Sequence, residues 1–157
     1  MDWGGWAIFG LAATVTLTGI MVGAQLAGLS RMDIPLILGT FFTDRPDAAR
    51  FFGFLVHLVN GQVFALGYAA AFTLLDSASW WLGALFGLWH GVAALTLFVP
   101  LAAGVHPRVA SDRSGPSLHA ILEPPGLLAL NYGRETPIVA IAAHAVYGAI
   151  LGQFLHP

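Results

Sequence analysis

Residues 51–75, FFGFLVHLVNGQVFALGYAAAFTLL, run for 25 positions without an Asp, Glu, Lys or Arg. A bilayer hydrocarbon core about 30 Å thick is crossed by roughly 20 apolar residues in a helix, so this stretch predicts a membrane span. Working outward, three further stretches meet the same test: residues 6–29, 80–101 and 137–155. The expectation is an all-α, single-domain, four-helix transmembrane bundle, with nothing left over for a soluble domain. The first helix follows Asp2 rather than a basic residue and is long for a cleaved signal, so it is read as retained.

Composition agrees. Of 157 residues 57% are hydrophobic and 9% charged, against roughly 25% charged in soluble domains. A net charge of −2 offers no basic surface for nucleic acid. Cysteine is absent, which excludes disulfides, thiolate metal sites and iron–sulfur clusters. Lysine is absent too, so the six arginines are the only permanent cations. Arg31, Arg45 and Arg50 fall between the first and second spans, and Arg108, Arg113 and Arg134 between the third and fourth. The positive-inside rule then places both long connections in the cytoplasm and both termini outside, in a multi-pass protein of the inner (plasma) membrane. Trp3, Trp6, Trp80 and Trp81 supply aromatic anchors at the outer face.

The connections are not purely polar. Residues 34–42, IPLILGTFF, are apolar but too short to cross, so they are expected to lie in the interface or dip into the bundle, and Pro35 precludes a straight helix through Asp33. Residues 118–122 and 127–130 flank the turn Glu123-Pro124-Pro125-Gly126 and are expected as short interfacial pieces capping the inner end. Lipid removes the hydrophobic drive between helices, which then pack through small residues. Gly19 and Gly23, Gly83, Gly87 and Gly91, and Gly148 and Gly152 have the four-residue spacing, and Gly53, Gly61 and Ala65 a looser one. Every span is therefore expected to carry a close-packing stripe, with homo-oligomer contact as a further use.

Three histidines lie inside spans: His57, His90 and His144. At 100° per residue each falls within about 40° of a glycine on its own helix, so all three face neighbouring helices. His57 and His144 are placed about 10 Å, and His90 about 16 Å, from the inner end of their spans at 1.5 Å per residue. The local patterns His57-Leu58-Val59-Asn60-Gly61 and His144-Ala145-Val146-Tyr147-Gly148 form a faint repeat that brings Asn60 and Tyr147 to the same level. Gln25, Asp33, His119 and Glu123 are candidates to approach from the cytoplasmic side. His106, His119 and His156 are expected to be solvated or interfacial, and Asp112, Arg113, Arg134 and Glu135 to sit at headgroup level.

Such a cluster has three uses. Imidazoles can simply tie helices together, in a structural or accessory subunit of a larger membrane complex. They can hold a cofactor: Zn or Fe through His57, His90 and His144 with Asp33 or Glu123 completing the set, or a b-type haem between His57 and His144. They can also relay protons or ions in an oligomer. No nucleophile motif, phosphate loop or carboxylate pair points to catalysis.

The stretches 31–40, 55–61, 123–126, 131–134 and 144–148, read together, resemble a family of small, uncharacterised prokaryotic four-span integral membrane proteins. The resemblance implies the topology; it carries no activity and no residue role.

Overall fold

The computed structural model describes residues 3–110 and 120–155, and these are helical apart from turns and one isolated bridge. The helices are α1 (Trp3–Leu26), α2 (Ile34–Gly39), α3 (Pro46–Leu75), α4 (Trp80–Val105) and α5 (Thr136–Phe154). Four of them, of 24, 30, 26 and 19 residues, are long and apolar enough to cross a membrane. His119, His156, Asp112, Arg113 and the start of the 118–122 segment lie outside the described residues.

Local chemistry sets the helix ends. Gly28, at φ +74°, closes α1: Leu29 N–H donates to Ala24 O at 2.9 Å and Gly28 N–H to Gln25 O at 3.0 Å, a left-handed cap open to glycine at little cost. Asp33 caps α2 by accepting from Leu36 N–H at 2.9 Å, and Pro35 follows within the first turn, where its missing N–H costs nothing. The expectation that Pro35 stops a helix at Asp33 is met in this form. Helix α3 starts at Pro46 instead of residue 51, because Pro at a first-turn position favours the helix through the polar residues 47–50. Helix α4 runs past Pro100 to Val105. The proline ring crowds the carbonyl four residues back, and the helix widens into a π turn over Ala94–Phe98 rather than ending.

Glycine sets the helix spacing. A Cβ on Gly83 would strike the Gly148 carbonyl oxygen and come within 2.9 Å of Gly152 Cα; one on Gly91 would meet Ile141 Cα at 2.9 Å. Gly87 faces the His144 carbonyl in the same way. Helices α4 and α5 therefore touch backbone to backbone. Gly61 admits the Thr14 side chain of α1, and Gly39 and Gly53 press α2 onto α3 against the carbonyls of Ala49 and Pro35. The exception is α1: nothing lies within 4 Å of a Cβ on Gly19 or Gly23, so that stripe packs against no other part of the described chain. The sequence pattern was met on three spans and not on the first.

Helix α1 packs on both α3 and α5, and α5 on α4. The circuit closes between α3 and α4 through rings: Phe72 stacks on Phe86 with centroids 5.8 Å apart, and Phe64 meets Phe98 at 5.5 Å. Hydroxyls on the spans are satisfied internally, as lipid requires. Thr14, Thr16, Thr18, Thr73 and Thr96 each donate to the carbonyl four residues earlier.

At the α2 end a polar network holds the connections. Arg31 pairs with Glu123 at 2.8 Å and donates to Asn131 O, while Tyr132 hydroxyl donates to Glu123 O at 2.8 Å. Burial and the Glu123 charge push the Tyr132 phenol up to about 12, so it keeps its proton as donor. Buried Ser30 and Thr136 share a hydrogen bond at 2.8 Å. Residues 127–130 form part of a 3-10 turn, Leu127–Tyr132, with Leu128 and Ala129 at positive φ.

Gly83→Val or Gly148→Val is expected to destabilise the folded protein by about 1–3 kcal/mol, the cost of overpacking a tight contact. Gly19→Val is expected to stay within about 0.5 kcal/mol of wild type. Thermal unfolding in mild detergent compares the three; equal losses would mean that α4 and α5 are not held by close approach.

Candidate functional site, a histidine-lined cavity

Thr14 and Leu17 of α1, His57 and Phe64 of α3, His90 and Phe98 of α4, and His144 and Tyr147 of α5 line one cavity of about 370 Å3. All three span histidines are thus brought to one space, and Asn60 joins them. Helix α3 starts earlier than the sequence boundary, so His57 stands further from its helix end than expected. His57 lies 57 − 46 = 11 residues past Pro46, about 16 Å at 1.5 Å per residue. His144 lies 144 − 136 = 8 residues past Thr136 in the 19-residue α5, about 12 Å and close to mid-helix.

The rings are oriented by specific partners. His144 Nδ1 bonds its own helix at Ala140 O at 2.7 Å; since a carbonyl only accepts, Nδ1 carries the proton and Nε2 is the free nitrogen. His90 Nδ1 lies 3.4 Å from the Tyr68 hydroxyl, and its ring meets that of His144 edge to face at 4.7 Å and that of Phe64 at 4.2 Å. Among the described residues no hydrogen bond reaches the His57 ring. Tyr147, 1% exposed, spends its hydroxyl on Gly61 O at 2.5 Å, tying α5 to α3.

Other sequence candidates stand elsewhere. Asp33 pairs with Arg50 at 2.8 Å and caps α2, Glu123 pairs with Arg31, and neither lines the cavity. Gln25 donates to Met32 O at 2.8 Å and holds the loop. No three His, Asp or Glu among the described residues form a group that could hold a metal ion.

His106 corrects the sequence reading. It is 6% exposed, not solvated. Its Nε2 donates to Ile37 O at 3.0 Å and sits 3.3 Å from Thr40 Oγ1, its Nδ1 accepts from Arg108 N–H at 3.0 Å, and Phe41 packs on the ring. Arg108 also donates to Thr40 O. His106 thereby ties α2 to the end of α4, and α2 roofs the cavity with Ile34, Ile37 and Leu38. The signal in the sequence was slight: Pro107 and Arg108 directly after the histidine look like any loop.

Compared with protein-family models, with curated proteins and with solved structures, the chain matches none. The described chain is nevertheless definable by class: an all-helical bundle of four helices of membrane-crossing length, enclosing a cavity lined by histidines.

Burial and the neighbouring Arg108 cation lower the proton affinity of His106 below its ordinary 6.5, with the Ile37 carbonyl opposing them. Between the lowered folded value and 6.5 the unfolded chain binds more protons, so the stability from His106 is present above 6.5 and lost as pH falls below it. His106→Phe is expected to cost about 1–3 kcal/mol near neutral pH. The difference from wild type should shrink as the medium is acidified, as measured by unfolding in detergent; a difference independent of pH would refute the assignment.

Proposed function

We propose that this protein binds a small, uncharged ligand within the bilayer, with His57, His90 and His144 as its hydrogen-bonding partners. The observation that carries this reading is the cavity: about 370 Å3, walled mostly by apolar side chains, with three imidazoles and no Asp, Glu, Lys or Arg in its lining. That is the composition of a ligand pocket, which is typically about 300–1,000 Å3 and apolar, with a few placed polar groups. A charged ligand would find no counter-ion there. Neutral imidazole offers one donor and one acceptor, suiting hydroxyl and carbonyl oxygens.

A second reading, a b-type haem held between His57 and His144, draws support from one contact. The Nδ1–H of His144 donates to the Ala140 carbonyl, the arrangement that fixes the tautomer of metal-ligating histidines. The two readings separate in one preparation. Protein purified in mild detergent is expected to retain an extractable uncharged molecule, detected by mass spectrometry, and to lose it in His57→Ala and His144→Ala. A Soret band lost in those variants would instead establish the second reading. Folded variants with neither ligand nor haem to lose would leave a packing role in an accessory subunit, or a proton or ion relay in an oligomer.

For placement, we propose the inner (plasma) membrane with both termini outside. Support comes from Arg31, Arg45, Arg108 and Arg134 in the two connections and Arg50 near the start of α3, all at the α2 end of the bundle, while the α3–α4 turn has none. A tag after Pro157 should then be labelled by impermeant reagent on intact cells; protection until lysis would reverse the orientation.

A further inference from the structure

The polar and apolar ends of the cavity are arranged opposite to those of a membrane lipid. Its hydrogen-bonding groups, His57, Asn60, His90 and His144, stand near mid-helix, whereas Met32, Leu95, Val99 and Ala102 line the end nearer the connections. A phospholipid places its polar group at the interface and its chains inward, so its headgroup would meet the apolar end. A molecule that fits must carry its polar atoms in the middle of the bilayer, and so must be uncharged there.

The walls also say how it enters. From the side of the connections, α2 and the loop residues Val109, Pro125 and Tyr132 cover the cavity, held by the Arg31–Glu123 and Arg50–Asp33 ion pairs and by His106. Between α4 and α5, and between α1 and α3 at Gly61, glycine brings the helices together. The α3–α4 seam differs, because ring contacts bridge it. Phe98 lines the cavity and is 46% exposed, with Phe64 facing it. Asn60, near the middle of α3, lines the cavity and is exposed, an amide beside this seam. The π turn Ala94–Phe98 forms the α4 side of this seam.

Resting on the ligand reading above, we infer that the ligand is a lipid-dissolved molecule with carbonyl or hydroxyl oxygens on a compact ring, of the isoprenoid quinone or quinol class. It enters sideways from the bilayer between Phe64 and Phe98. A flat ring passes between two aromatic side chains and stacks on them at offset or edge geometries. Its oxygens accept from the Asn60 amide and an imidazole N–H, and those of the quinol also donate to an imidazole nitrogen.

The test uses the full chain in nanodiscs and a benzoquinone with one isoprene unit, followed by quenching of tryptophan fluorescence, with empty nanodiscs and a carboxylated analogue as comparators. Saturable binding of the neutral quinone, none of the carboxylated analogue, and about tenfold weaker binding in Asn60→Leu are expected, the loss of one hydrogen bond. Phe98→Ala should speed association and Phe98→Trp slow it, each by several-fold; both change an exposed side chain, and their melting temperatures report folding. Equal binding of the carboxylated analogue would overturn the uncharged class. Unchanged association rates in both Phe98 variants would overturn the lateral route. Absence of quinone and quinol binding, in protein that still retains an extractable molecule through His57, would overturn the class and leave the ligand reading standing. Absence of both would overturn the two together.

Discussion

The contact on which the rest of the molecule depends is the backbone approach of α4 to α5. Gly83, Gly87 and Gly91 on one helix meet Gly148, Gly152 and the His144 backbone on the other, closer than any side chain would permit. In lipid this is where helix association finds its energy, since apolar side chains gain little by leaving one hydrocarbon for another. Because α4 is drawn to α5, it stands off from α3. The gap is closed at one end by Tyr68, Phe72 and Phe86, and toward the other end it remains open as the cavity. The same contact places His144 beside Gly87 and Gly91, and so beside His90.

One backbone irregularity helps to shape that space. The π turn caused by Pro100 supplies Ala94, Leu95 and Phe98 to the wall. The connections fold back to make a roof, and the roof is held by polar side chains: Asp33 on Leu36 N–H and Arg50, Arg31 on Glu123 and Asn131, and His106 on Ile37 and Arg108. Such a network is needed because the last carbonyls of α2 and the chain reversal at 123–133 lie against apolar surface, where an unpaired polar group is costly.

The histidines show how far sequence reasoning reaches. That His57, His90 and His144 share an interior was legible from 3.6-residue periodicity and from the cost of polar groups in hydrocarbon. That Asp33 and Glu123 would turn away from them was not, because each is claimed by an arginine distant in sequence or in another connection: Arg50, 17 residues on, and Arg31, 92 residues back. Tyr68, the partner of His90, looked like one more aromatic residue in a span. His106 looked like a loop residue and proves to be buried.

The sequence by itself determined the class of object: four apolar stretches, charges gathered in two connections, glycines at helical spacing and three histidines on interior faces. These follow from local rules, namely the length needed to cross hydrocarbon and the angle between successive residues. Only the tertiary structure decided which glycine stripes are used, that the stripe of α1 is left open, that α3 and α4 part around a cavity, and that the carboxylates serve the roof. Those outcomes depend on which helix lies beside which, and a residue's own neighbours in the chain carry no information about that.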